Sequence, residues 1–309
     1  MRILVTGASG FVGRRLVPAL LDADHEVRAM TRRPEAYDGP GEPIGADVDA
    51  PETLARALAG IDVAYYLIHS LDHRDFVRRD ARAAEAFGRA AADAGVRRIV
   101  YLSGLGDEND DLSAHLRSRQ ECERLLAKGG VPVTVLRAGI VIGHGGASWE
   151  IVHNLVEKFP ALVVPQWGRT RTQPIALSDM VRYLVGVLAI EDETTHTFEV
   201  GGADVLRYVD MLSRVSWIEG RHSLFLPVWI PSSRLAALVA GQALPFVTPV
   251  DGRTIRTLIE SMRNEVVVRD DLIRQVVPLD PLGYDDAVLE AMADRARAGR
   301  ARRGQRARA

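Results

Sequence analysis

Residues 2–13 read Arg-Ile-Leu-Val-Thr-Gly-Ala-Ser-Gly-Phe-Val-Gly, and this stretch decides the fold. An apolar run, Arg2–Thr6, enters a turn carrying Gly7, Gly10 and Gly13, spaced three apart, and an amphipathic run, Phe11–Ala23, follows. Each glycine has a separate physical reason. Gly7 permits a sharp strand-to-helix turn. Gly10 removes a side chain where backbone must approach a diphosphate. Gly13 lets the helix pack closely on the strand. The unpaired N–H groups and the dipole of the helix start then attract an anion, and Ser9 adds a hydroxyl donor. Glycine spacing alone is a weak signal, and a purely structural turn is the competing reading. The strand–turn–helix setting is what makes the spacing a dinucleotide-binding signature.

Outward from that turn, short apolar runs alternate with longer amphipathic ones. Strands are expected at Arg2–Thr6, His25–Thr31, Val63–Ile68, Arg98–Ser103 and Val131–Arg137, with a weaker one at Glu42–Ala46. The stronger runs are mostly apolar on both faces, as a helix-covered parallel sheet requires. Helices are expected at Phe11–Ala23, Pro51–Ala59, Arg74–Ala94 and Leu112–Lys128. This alternation argues for βαβ units with right-handed crossovers. The fold class is α/β: a Rossmann-type doubly wound parallel sheet with a smaller, interleaved C-terminal substrate lobe.

The second half is less regular. Helices are expected at Ser148–Phe159, Ser178–Ile190, Tyr208–Trp217, Gly252–Asn264 and Asp285–Arg297, and strands at Thr172–Ile175 and Thr197–Val200. Ser178 is the expected N-cap of its helix. The expected division is a nucleotide-binding domain at 1–147 with returning elements near 172–200, a substrate lobe at 148–293, and a basic flexible tail at 294–309.

The end of the second strand selects the dinucleotide. An acid there would bind the ribose 2′-hydroxyl of NAD. Thr31-Arg32-Arg33 stands there instead. Two guanidiniums hold a 2′-phosphate bidentately, so NADP(H) is favoured over NAD(H). The competing reading, solvated surface arginines, has weight in a chain with 37 Arg and two Lys.

Composition closes other routes. The chain has 309 residues, 47% hydrophobic and 26% charged, which is ordinary for a globular protein and excludes a fibrous or disordered one. The net charge of −2 is unevenly placed: seven Arg and one Asp make residues 294–309 +6, and the remainder is −8. An acidic body argues against nucleic acid as a partner. One cysteine, Cys122, excludes a disulfide framework and a multi-Cys metal site. No apolar run of ~18 residues offers a membrane-spanning helix. Met1-Arg2 runs directly into Ile3-Leu4-Val5, leaving no secretory leader, so a cytoplasmic location is expected.

The motif Thr6-Gly7-Ala8-Ser9-Gly10-Phe11-Val12-Gly13 resembles the TGxxGxxG of the short-chain dehydrogenase/reductase superfamily, in its extended or atypical branch. Gly45-Ala46-Asp47-Val48 resembles the segment whose Asp contacts the adenine. Tyr66-Leu67-Ile68-His69 resembles the strand end bordering the cofactor ribose, and Tyr101-Leu102-Ser103 the fifth strand with its catalytic Ser. Leu136-Arg137-Ala138-Gly139-Ile140-Val141-Ile142-Gly143 resembles the segment beside the nicotinamide, and Ile175–Val181 the helix start after the substrate loop. The resemblance spans about residues 2–200. It implies cofactor contacts at Gly7, Ser9, Gly10, Phe11, Val12, Gly13, Arg32, Arg33, Asp47, Val48, Ile68, Ala138, Gly139 and Ile140.

The departure from the family is at the reacting pair. The family places a Tyr and, four residues later, a Lys on one helix face. Here His115 stands in the Tyr slot and Arg119 in the Lys slot, and the spacing still shares one face. Two readings stay open. In one, the protein is an oxidoreductase of a small carbonyl or alcohol: Ser103 polarises the oxygen, His115, with an unperturbed pKa near ~6.5, exchanges the proton, and Arg119 orients the ribose. In the other, it binds NADP(H) without turnover, as a sensor or an assembly or regulatory protein. A sugar-nucleotide epimerase is a weaker third reading, opposed by the missing Tyr.

Other residues are candidates by position. His69 and Ser70 follow the fourth strand and face either the ribose or backbone. His144 lies in a Gly-rich loop without a second ligand nearby, so no metal site is assigned. Arg169 and Arg171 suit the polar end of a substrate or plain solvation. Leu224–Val250 carries one charge, Arg234, with Ser232-Ser233 able to cap a helix through Val239. It reads as core and pocket wall of the second lobe or, with the basic tail, as a peripheral membrane contact. A small molecule is the expected partner, and nothing in the sequence fixes the oligomeric state.

Overall fold

A computed structural model describes residues 1–228 and 248–306 of the chain, without the side chains of 227 and 301–306. In chain order the elements are β1 (Arg2–Thr6), α1 (Gly13–Asp22), β2 (Glu26–Thr31), β3 (Glu42–Gly45), α2 (Leu54–Leu58), β4 (Val63–Tyr66), α3 (Phe76–Asp93), β5 (Arg98–Gly104), α4 (Ala114–Ala127) and β6 (Val133–Ala138). Then follow β7 (Val141–Ile142), α5 (Ala147–Lys158), β8 (Ala161–Val164), β9 (Arg171–Thr172), β10 (Ile175–Ala176), α6 (Leu177–Gly186) and β11 (His196–Val200). The chain ends with β12 (Leu206–Arg207), α7 (Tyr208–Ile218), β13 (Leu224–Pro227), α8 (Gly252–Ser261), α9 (Ile273–Val276) and α10 (Tyr284–Arg306).

The central sheet has seven strands in the order β11-β6-β5-β4-β1-β2-β3, all parallel. Strand order reverses between β1 and β4, which is the switch point where such sheets bind ligands. The strands are buried on both faces: β4 and β6 are buried at every position. This is the α/β, doubly wound Rossmann arrangement that the alternation of runs demands. Helices α3 and α4 cover one face, where Phe87, Ala91, Leu126, Tyr66 and Tyr101 share a core. Gly88 makes their contact possible, because a Cβ there would stand 2.5 Å from the Leu126 carbonyl oxygen.

The chain divides into two compact units. One comprises Met1–Ala138, Met180–Val200 and Val268–Leu279, and the other Gly139–Asp179, Gly201–Val267 and Asp280–Ala309. The second is built on three two-stranded ladders, β7·β10, β9·β12 and β8·β13, with a core around Trp149, Met211, Val215 and Tyr284.

Several elements differ from expectation for local reasons. The run Thr172–Ile175 is two strands, β9 and β10, because Pro174 between them has no N–H for a ladder. Ser178 lies inside α6 rather than capping it, and its hydroxyl donates to Glu290 at 2.7 Å. The helix expected from Pro51 opens as a 3₁₀ turn, Pro51–Thr53. Helix α10 runs on into the arginine-rich stretch as far as Arg306. Of the apolar stretch, Leu224–Pro227 is a strand, whereas the Ser232-Ser233 cap and its helix lie outside the described residues.

Candidate functional site

Strand β1 delivers the chain to Gly7, whose φ of +63° is the left-handed conformation that favours glycine. Gly10 N–H donates to the Gly7 carbonyl at 2.8 Å and closes the turn. A Cβ on Gly13 would stand 2.3 Å from that carbonyl oxygen and 2.8 Å from Ala8 Cα; one on Gly10 would stand 3.0 Å from the same oxygen. The turn is therefore a cradle walled by backbone. Helix α1 begins with no side-chain cap and no acid in its first turn. Among the described residues, no acceptor takes the N–H groups of Phe11, Val12 and Gly13. Open amides, a helix dipole and room for a close approach fit a diphosphate.

The other predicted contacts are described in turn. Ile68 Cγ1 lies 3.8 Å from where a Gly7 Cβ would be. Thr6 Oγ1 accepts from Leu67 N–H at 2.9 Å and ties β1 to the end of β4. Ser9 is exposed, and its carbonyl accepts from Arg14 Nε at 2.8 Å. Arg32 and Arg33 are exposed just past β2, and among the described residues neither side chain has a carboxylate partner. Asp47 sits past β3, with Oδ1 accepting from Asp49 N–H at 3.1 Å. Val48 is buried in the core beside Leu54, which leaves only its backbone for a ligand. Ala138 ends β6 in the first unit and accepts from Leu105 N–H at 2.8 Å; Gly139 and Ile140 open the second unit.

The reacting pair stands on α4, which Ser113 caps by accepting from Leu116 N–H at 3.2 Å. Arg119 is 9% exposed, with its guanidinium 4.9 Å from the centre of the Tyr101 ring. Its Nη2 donates to the Leu102 carbonyl, and the Tyr101 hydroxyl donates to the Arg119 carbonyl at 3.3 Å. Among the described residues no carboxylate lies within ion-pair distance of Arg119. Burial first, then the Arg119 charge and that of His69, push the His115 imidazole down to about 3. The shift is toward the neutral imidazole, the direction that burial beside a cation dictates.

Ser103 stands at the end of β5, where the resemblance implies. It is 4% exposed and its hydroxyl donates to Glu123 Oε1 at 2.6 Å. Arg137 donates to the same carboxylate at 2.6 Å and to Glu108 at 2.5 Å. Its hydroxyl proton is thus directed to a carboxylate that Arg137 holds in place. Ser103 is part of a buried hydrogen-bond network with Glu123 and Arg137.

Asp80 is the residue that sequence reasoning missed. It is 4% exposed on α3, Ser70 hydrogen-bonds its carboxylate, and burial raises its pKa while the nearby Arg119 charge lowers it. The signal was legible: Asp80 falls on the helix face of Ala83, Ala84, Phe87 and Ala91, where a carboxylate needs a reason. Of the remaining candidates, His144 Nδ1 is 3.0 Å from Glu150 Oε1, and no metal-binding group of His, Cys, Asp or Glu occurs among the described residues. Arg171 is engaged by Glu265 through two bonds of 2.8 Å, whereas exposed Arg169 has no partner among the described residues. Cys122 is buried, and burial pushes its thiol up to about 11.

Comparison with known proteins agrees with a dinucleotide-binding fold. Residues 7–159 match the NAD(P)H-binding family. Over 241 residues the chain is 29% identical to the (4-alkanoyl-5-oxo-2,5-dihydrofuran-3-yl)methyl phosphate reductase of Streptomyces griseus, covering 76% of this chain and 80% of that one. It is 24% identical over 249 residues to the photosystem II assembly factor Ycf39 of Cyanophora paradoxa, covering 76% and 74%. It is also 29% identical over 187 residues to a Mycobacterium tuberculosis protein, of whose length it spans only 20%. Its fold matches the crystal structure of Citrobacter sp. triphenylmethane reductase complexed with NADP(H), with a TM-score of 0.74, 19% identity, and coverage of 94% of this chain and 100% of that one. Among the described residues no helix is long and apolar enough to cross a membrane.

Proposed function

We propose, from the match of residues 7–159 to the NAD(P)H-binding family and the fold shared with a reductase complexed with NADP(H), that the protein is an NADP(H)-dependent reductase of a small carbonyl compound. The observation that carries this reading is the backbone cradle at Gly7–Gly13 with its open amides. Gly7, Ser9, Gly10, Phe11, Val12 and Gly13 hold the diphosphate. Arg32 and Arg33 take the 2′-phosphate, which is why NADP(H) is preferred to NAD(H). Asp47 and the Val48 backbone face the adenine, Ile68 the ribose, and Ala138, Gly139 and Ile140 the nicotinamide. When bound, a reduced nicotinamide supplies a hydride.

The chain's own contribution to the chemistry is charge rather than a proton. Arg119 is a buried cation that does not deprotonate. Ser103 and a neutral His115 leave this face without an acid. Negative charge developing on a carbonyl oxygen is therefore met by the guanidinium, whose field is strong where water is excluded. That arrangement favours carbonyls conjugated to a carbon–carbon double bond. Their charge spreads over the conjugated system until water protonates carbon. The similarity to a reductase over most of both chains supports the reading.

The test is NADPH oxidation at 340 nm over paired conjugated and saturated ketones. The account expects turnover of the conjugated members and, for Arg119→Met, a loss of about 10²-fold in kcat, the usual scale for one oxyanion donor. Equal rates on saturated ketones, or full activity in Arg119→Met, would contradict it. A second reading, a non-catalytic NADP(H)-binding assembly or regulatory protein, is favoured by the missing proton donor and by the similarity to an assembly factor. It expects cofactor binding, no turnover of any substrate, and a partner set that changes with cofactor occupancy. The lone buried Cys122 suits the reducing cytoplasm under either reading.

A further inference from the structure

The first turn of α1 holds Arg14 and Arg15 and no acid. A helix N-terminus is the unfavourable end for a cation, since the dipole there is already positive. Helical side chains lean back toward the N-terminus, so Arg14 reaches over the helix start. There its Nε donates to the Ser9 carbonyl at 2.8 Å, inside the glycine turn. Its Nη2 stands 3.8 Å from Asp38 Oδ1, and both side chains are largely exposed. A pair that long and that exposed contributes little. The guanidinium is thus tethered to the turn while its charge is only loosely met.

We propose that Arg14 is a positioning residue for the cofactor diphosphate. Held by the Ser9 carbonyl, it presents charge-assisted donors next to the open amides of Phe11, Val12 and Gly13, and exchanges Asp38 for a phosphate oxygen. This rests on the dinucleotide reading of the cradle and adds a side chain to a site so far built of backbone. It also separates two tasks: Arg14 serves the diphosphate common to both dinucleotides, and Arg32 serves the 2′-phosphate that only one carries.

The experiment is calorimetric titration of the full-length protein, Arg14→Gln and Arg32→Gln with NADP⁺ and NAD⁺, alongside thermal melting without ligand. Loss of Arg14 is expected to weaken NADP⁺ and NAD⁺ by the same factor, about tenfold for a charge-assisted contact. Arg32→Gln is expected to weaken NADP⁺ alone. Without ligand, Arg14→Gln melts no lower than the parent, because the lost cation opposed the helix dipole; a lower melting temperature would mark a merely structural role and overturn the proposal. Unchanged affinities in Arg14→Gln, or a loss confined to NADP⁺, would also overturn it. A parent protein that binds neither dinucleotide would instead bring down the reading of the cradle itself.

Discussion

Replacing Gly13 by Ala adds one methyl group at the most constrained point of the site. That methyl would stand 2.3 Å from the Gly7 carbonyl oxygen, 2.8 Å from Ala8 Cα and 3.0 Å from Ala8 C, so every nearest neighbour is backbone. No rotamer relieves the clash; α1 must move off the turn. Overpacking of this kind costs about 1–3 kcal/mol. Ala is the better helix former by about 1 kcal/mol, which offsets part of the loss. The unliganded protein is therefore destabilised by about 0–2 kcal/mol and still folds. Binding suffers more, because the shift carries the amides of Phe11, Val12 and Gly13 away from the anion. Losing one amide bond to a phosphate costs about 1.5–3 kcal/mol, or roughly 10- to 100-fold in Kd. Calorimetry with NADP⁺ reads the affinity, and scanning fluorimetry reads the stability. Gly10→Ala, whose methyl would be 3.0 Å from the same oxygen, is the graded comparison and is expected to lose less. A Gly13→Ala protein that binds NADP⁺ within about twofold of the parent would refute the cradle as the anion site.

Arg32→Glu places an acid where NAD(H)-selective sheets carry one, and calorimetry should show the preference moving from NADP⁺ toward NAD⁺; an unchanged ratio would remove Arg32 from the site. Ser103→Ala should lower stability by about 1.5–3 kcal/mol, the worth of a bond to a charged acceptor, with kcat within about threefold of the parent. A collapse of kcat with cofactor affinity intact would return Ser103 to a catalytic role. His115 has its pKa lowered to about 3 in the folded chain, whereas the unfolded chain takes up its proton near pH 6.5. Its contribution is thus fully present above pH 6.5 and is lost as pH falls toward 3, at about 1.4 kcal/mol per unit on the full slope. Urea unfolding across that window should show a shallower pH dependence in His115→Gln, and parallel slopes would mean that the imidazole is not held neutral.

Where one residue pattern had one physical explanation, the sequence was enough. Strands such as Val63–Tyr66 announce themselves because both faces must be apolar beneath covering helices, and the glycine turn because Gly7 and Gly13 answer separate steric demands. The second unit was harder to read. Strands such as β7 and β10 are two residues long, too short for any period to show, and they pair across gaps in sequence. Ser103 and Glu123 lie twenty positions apart, and only the packing of α4 on β5 brings them to 2.6 Å. His115 kept its spacing to Arg119, yet its chemistry depends on burial and on a neighbouring charge that spacing does not report. Asp80 had a legible signal, a carboxylate on an apolar helix face, and its partners Ser70 and Arg119 come from other elements.

The central claim is that open backbone amides at the start of α1 grip the diphosphate of the cofactor. Titrating ¹⁵N-labelled protein with NADP⁺ and following the amide resonances of Phe11, Val12 and Gly13 tests it most directly. The account predicts that these resonances shift together and saturate with the Kd found by calorimetry. Resonances that stay in place while NADP⁺ binds elsewhere, or a chain that binds no pyridine nucleotide, would contradict it.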